Sequence, residues 1–172
     1  MFLVNMIYAS RTNPGFNPQD IEGILRSSLR NNERAGVTGI LAFNSDYFLQ
    51  CLEGSRDAVN DAYHRILHDR RHHDPVILTY HEVTHRQFPQ WSMGYMGEFC
   101  QHRDILMKYA GSTHFQPYEM SGESASAMLL ELASRIPCKT QLSEELPPVS
   151  PRHPHGAIPV IPPRGVHATV PF

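Results

Sequence analysis

The chain has 172 residues, enough for one domain and a tail and too few for two full domains. A hydrophobic fraction of 41% describes a globular chain with a real core, and a net charge of −2 removes the electrostatic case for DNA, RNA or an anionic membrane as partner. Cys51, Cys100 and Cys138 make neither a disulfide framework nor a C-x-x-C pair, and neither a signal peptide nor a membrane-spanning run is visible, so a cytoplasmic protein is expected.

Residues 2–9 are rich in Phe, Val and Ile and read as a strand, broken at Asn13-Pro14-Gly15. Asn17-Pro18 is a helix start, with Asn17 as cap and Pro18 in the first helical position. Ile21, Ile24, Leu25, Ser28 and Leu29 fall on one stripe, carrying that helix to about Asn32. Residues 36–43 form a second strand, Asn44-Ser45-Asp46 a turn, and residues 47–53 a third strand in a hairpin with the second. Ser55 caps a second helix whose stripe is Val59, Ala62, Tyr63, Ile66 and Leu67, closed by the cations Arg70, Arg71, His72 and His73. Pro75 restarts a strand through about Val83, and Trp91–Met96 is the fifth.

The order βαββαββ predicts an α+β fold, a ferredoxin-like core plus one strand in a five-stranded mixed sheet. Right-handed crossovers are expected to set strands one and three side by side and parallel, with both helices on one face. Val4, Met6 and Tyr8 then share the helix face with Phe48, Gln50 and Leu52, so Tyr8 and Gln50 are neighbours. The other face, with Leu3, Ile7, Leu49 and Cys51, is too apolar for water. Segments 102–109 and 122–135 can cover it, the second through Met128, Leu129, Leu132 and Ile136. Nine of the fourteen prolines lie in residues 137–172, which reads as an extended tail. The expected division is therefore 1–98, a helical extension 99–136 and the tail 137–172.

Buried polar groups are the informative ones: Tyr8, Ser28, Asn31, Asn32 and Gln50, with Arg65 on the second helix. Carboxamides offer a donor and an acceptor together, matching the alternating carbonyl and N–H edge of an isoalloxazine ring. An arginine suits a phosphate or ribityl chain. Each has an ordinary reading too. Asn31-Asn32 equally suits a helix C-cap, Tyr8 and Gln50 a satisfied core pair, and Arg65 a surface charge.

Five segments then resemble the BLUF family, blue-light sensors using FAD, and within it the short proteins lacking an effector domain. They are Ile7-Tyr8-Ala9-Ser10, Ser28 through Gly39, Phe48 through Gly54, Asp69 through His73, and Phe88 through Met93. The resemblance implies Tyr8 as electron donor to the excited flavin, and Gln50 as the group exchanging hydrogen bonds between Tyr8 and the ring. It implies Asn32 on the ring's carbonyl edge with Asn31 and Ser28 beside it, and Arg65, Asp69 and His72 near the ribityl and phosphate end. Trp91 and Met93 correspond to residues that alternate near Gln50 and pass the signal to strand five. FAD is the expected cofactor, with FMN or riboflavin as substitutes.

Rival motifs are weaker. No G-x-G-x-x-G follows a strand and no Walker loop is present, and an RNA-binding signature is missing. His68, Asp69, His72 and His73 are too nearly consecutive to converge on a metal. The expected function is a light-switched interaction module, not an enzyme. Its output is a separate downstream signalling protein, and homo-oligomers are expected from leftover apolar surface. The alternative is a small flavin-dependent reductase.

Overall fold

The computed structural model describes residues 2–17, 19–97 and 103–136. Pro18, Cys100, Cys138 and the tail 137–172 lie outside them. The elements are β1 (Leu3–Thr12), α1 (Asp20–Ala35), β2 (Thr38–Phe43), β3 (Tyr47–Ser55), α2 (Arg56–Leu67), β4 (His72–Val83), β5 (Gly94–Met96), α3 (Arg103–Tyr109) and α4 (Gly122–Arg135). The sheet order is β4-β1-β3-β2-β5, mixed because β2 and β5 pair parallel while every other pair is antiparallel. This is the expected five-stranded α+β architecture.

The direction of β3 corrects the sequence expectation. β1 and β3 are neighbours but antiparallel: the crossover through α1 makes β2 parallel to β1, and the hairpin then reverses β3. Tyr8 and Gln50 are still directly opposite one another, because both lie near the middle of their strands, where reversing the strand sense changes the pairing least. In the hairpin turn, Asn44 Oδ1 accepts from the amides of Asp46 and Tyr47.

Several boundaries move. Asn17 Oδ1 takes the Gln19 amide in a turn just before α1 instead of capping the helix itself. Asn31 and Asn32 lie inside α1, which closes at Gly36 in the left-handed region (φ 63°), with the Val37 amide returning to Asn32 O. The C-cap reading of the two asparagines therefore fails. α2 ends at Leu67, which is exposed, so the cations after it close a turn rather than the helix. His72 already belongs to β4, and the Asp69 amide returns to Ile66 O in that turn. β5 is only three residues long, leaving Trp91 and Met93 in the segment before it.

The β1–β4 pairing contains two register shifts, one between Ile7 and Tyr8 and one between Ala9 and Arg11. β4 thus carries two bulges, bracketing Tyr8. Two apolar layers flank the sheet. α1 and α2 cover one face with Val4, Met6, Tyr8, Leu25, Leu52 and Val59, and α3 and α4 cover the other with Ile7, Leu49, Ile105, Met128 and Leu132.

Candidate functional site

Strand alternation puts Tyr8 on β1 and Gln50 on β3 on the α1/α2 face, where both are buried. The Tyr8 hydroxyl donates to Gln50 Oε1, and Gln50 Nε2 lies 3.3 Å from Met93 Sδ. A thioether can only accept, so this contact fixes which end of the carboxamide faces Met93. Burial, then the neighbouring Tyr63 phenol and Asp69 carboxylate, pushes the Tyr8 pKa far above the ordinary tyrosine value. The phenol is therefore held protonated. Tyr63 braces it edge-on, with ring centroids 5.3 Å apart.

Beside this pair a cleft opens between α1 and α2, with a volume of about 220 Å³. Ile24, Leu41, Phe48, Ala62 and Ile66 give it apolar walls, and Ser28, Asn31 and Asn32 line it from α1. Asn32 uses one N–H on Ser92 O at 2.9 Å, tying α1 to the segment that carries Met93. Arg65 stands exposed at the mouth.

At the same end Arg71 holds Asp69 bidentately, with Nε 2.8 Å from Oδ1. Partial burial opposes the Asp69 charge, but hydrogen bonds from the Arg71 side chain and backbone, helped by the Arg71 and His72 charges, hold its carboxyl below the usual range. The pair cancels internally, leaving Arg65 as the cation facing the opening. His72 Nε2 sits 2.8 Å from Ile66 O, to which it donates.

A family model described as BLUF, sensors of blue-light using FAD, matches residues 3–94. The chain belongs to the BLUF family. Among curated relatives, the blue light- and temperature-regulated antirepressor BluF of Escherichia coli (strain K12) is 31% identical over 117 residues, 66% of this chain and 29% of that protein. The photoactivated adenylate cyclase subunit beta of Euglena longa is 30% identical over 116 residues, 64% of this chain and 14% of the relative. The chain therefore spans less than a third of either relative. Among solved structures, BlsA in its photo-activated state is similar at TM-score 0.69 and 28% identity, covering 76% of this chain and 94% of that one. BlrB, a BLUF protein in its dark state, is similar at 0.62 and 32% identity, covering 78% and 98%. This BLUF chain is thus a blue-light sensor whose family cofactor is FAD, and the matches do not favour the flavin reductase alternative.

The residues of the BLUF cleft fit that cofactor. His72 Nδ1 is buried in the wall without a hydrogen-bond partner, and a ribityl hydroxyl, which both donates and accepts, would suit it. The apolar walls suit a flat ring, the carboxamides its polar edge, and Arg65 a phosphate. All eight residues expected at the cofactor, Tyr8, Ser28, Asn31, Asn32, Gln50, Arg65, Asp69 and His72, line the one cleft.

The two expected signal residues separate. Met93 packs on the cleft side of the BLUF sheet beside Gln50, whereas Trp91 packs on the opposite face, stacked with Phe88 at 17°. Gly94 makes that seat possible: a Cβ there would fall 2.8 Å from Trp91 Cε3. Sequence reasoning also missed Ser10, Ser27 and Arg71 as lining residues. Ser10 follows Tyr8 by two on the same strand face, and Ser27 follows Ile24 by three, so both periods were available. Arg71 was hidden by its assignment to a helix end.

Proposed function

We propose that Tyr8, Gln50 and Met93 form the light-sensitive relay of this sensor, with Ser28, Asn31, Asn32, Arg65, Asp69 and His72 holding the flavin. The Tyr8–Gln50–Met93 hydrogen-bonded chain beside the cleft carries this reading. When bound, the flavin supplies the blue-light chromophore and an excited state that can take an electron. Tyr8 is the oxidisable side chain, and loss of an electron makes a phenol strongly acidic. Its proton is directed to Gln50 Oε1, the acceptor its hydroxyl already faces. Rotation of the Gln50 carboxamide would turn Nε2 toward the phenol oxygen and Oε1 toward Met93. Once the electron and proton have returned to Tyr8, Oε1 carries no proton and Met93 has none to donate, so the rotated state releases Met93. The segment before β5 is then the first part of the chain freed to move. Absorption spectra before and after blue light test the reading: a reversible red shift of the flavin band is expected, and a flavin band that never shifts would overturn it.

The output under this proposal is altered association with a separate signalling protein or a second copy of the chain, without substrate turnover, in the cytoplasm. The names of the relatives, a light-regulated antirepressor and a photoactivated cyclase subunit, support control of an effector. No helix among the described residues is long and apolar enough to cross a membrane, and none of their His, Cys, Asp and Glu side chains cluster as metal ligands. Residues 1–98 form the flavin unit, 99–136 its extension, and 137–172 a tail dispensable for photochemistry. A chain ending at Ile136 is expected to photocycle like the full chain.

A further inference from the structure

The relay leaves one buried ionisable group unused. Glu53 lies on the face of β3 turned away from the cleft, with Leu49 and Cys51, and is fully buried. Its carboxylate meets no cation among the described residues, only neutral donors. Oε1 accepts from Asn5 Nδ2 at 2.9 Å and from the Gln87 amide at 2.9 Å, and Oε2 from the amides of Gln87 at 3.0 Å and Phe88 at 2.9 Å. Asn5 serves this cluster at a cost, since its Oδ1 is buried without a partner while its N–H groups face Glu53 and Cys51. Burying a carboxylate this way is less favourable than an apolar side chain of similar size, so its use lies in what it grips.

What it grips is the β4–β5 segment. Next to the two bound amides, Arg86 Nη1 donates to Thr38 Oγ1 and Glu53 O, both at 2.8 Å, and Nη2 donates to Gly36 O at 2.6 Å. Residues 86–88 are thereby fastened to the ends of β2 and β3. From that point the chain runs to Trp91, whose carbonyl takes the Gly39 amide at 3.0 Å, then to Ser92 and Met93 at the cleft. Glu53 thus holds the root of the segment and Gln50 its tip, from opposite faces of the same strand.

We propose that Glu53 is a positioning residue for the photocycle: with Arg86 it anchors the β4–β5 segment so that Met93 meets Gln50. This rests on the Tyr8–Gln50–Met93 relay being the light-sensitive element. The test uses the full flavin-loaded chain and three readouts: red-shift amplitude, dark-recovery rate, and acrylamide quenching of Trp91, the chain's single tryptophan. Glu53→Gln keeps the shape but replaces one acceptor oxygen with a donor that faces a backbone N–H. It should leave the red-shift amplitude intact, change the recovery rate about threefold or more, and raise Trp91 quenching. The recovery effect should vanish when Met93→Ala is already present, because anchor and tip then no longer communicate. Arg86→Ala, which loosens the same root from the segment's own side, should reproduce both results and decides the matter if Glu53→Gln does not fold. Unchanged recovery and quenching, or a recovery effect that persists in Met93→Ala, would overturn the proposal. If wild type shows no red shift, the relay reading falls instead, and dark-state quenching of Trp91 alone decides whether Glu53 anchors the segment.

Discussion

The two faces of the sheet are built from the same strands by the same alternation, yet they end in opposite conditions. On the α1/α2 face, Tyr8, Ser10, Asn32 and Gln50 bring polar atoms into the apolar layer around a cleft. On the α3/α4 face, Ile7, Leu49, Ile105, Leu129 and Leu132 close into a continuous core whose buried polar residues are Asn5 and Glu53. The difference lies in what the polar groups face. Each face leaves one buried side-chain atom short of a partner, His72 Nδ1 and Asn5 Oδ1. Tyr8, Asn32 and Gln50, however, line an open cleft, whereas Glu53 on the closed face is taken up by the backbone amides of Gln87 and Phe88. A sensor needs both conditions: an open side to hold the chromophore and a filled side to transmit a change without dissipating it.

The strongest way to break this comparison is to remove a polar group from the open face. Tyr8→Phe and Gln50→Ala should each abolish the red shift while flavin stays bound, because the apolar walls remain; spectra of the purified variants check this. The closed face should answer in stability instead. Leu132→Ala should lower unfolding free energy by about 2–5 kcal/mol with the red shift preserved, read from denaturant titration of illuminated and dark samples. Within the open face, Asn32→Ala should weaken flavin retention by about 1–3 kcal/mol, since the ring edge and Ser92 O each lose a partner. Arg65→Ala should cost less because its charge is solvent-screened at the mouth. A flavin-release titration giving the reverse order would move the main anchor to the phosphate end.

A smaller effect is expected at the contact between tip and relay. Met93→Ala removes the acceptor that orients Gln50, so dark recovery should change about two- to tenfold. The smallest effect is in pH. Asp69 has a lowered pKa in the folded protein, so the stabilisation it gives is complete above the ordinary carboxylate value, about 4, and is lost as pH falls through the folded value. Flavin retention should accordingly weaken on acidification below that point, and Asp69→Asn should flatten the change.

Legibility in the sequence followed range. The period of two on β1 and β3 was enough to bring Tyr8 and Gln50 together, and the period of 3.6 placed Ser28, Asn31 and Asn32 on the same helix wall. The stripe Met128, Leu129, Leu132 and Ile136 likewise foretold the closed face, and all four are buried. What local pattern could not supply was direction and depth. The sense of β3 depends on combining a crossover with a hairpin, and the exposure of Leu67 on α2 ending one turn early. Glu53 carries no local mark of its role, because its partners Gln87 and Phe88 lie more than thirty residues away in a segment without periodicity. The resemblance of Trp91 and Met93 to a family pair named both residues without saying which one faces Gln50.

The paired bulges in β4 have a consequence for solubility. β4 is an edge strand of 12 residues with Val76, Ile77 and Tyr80 exposed, the kind of surface on which a strand from another chain can pair and start aggregation. Its register against β1 shifts twice, so the longest regular run is Leu3–Ile7 against Thr79–Val83, and beyond it the backbone is re-aimed within a few residues each time. An incoming strand would meet a donor and acceptor row that loses step before it could be matched along its length. The same irregularities that bracket Tyr8 therefore also protect the edge, letting an apolar strand stand at the rim of the sheet without recruiting its neighbours.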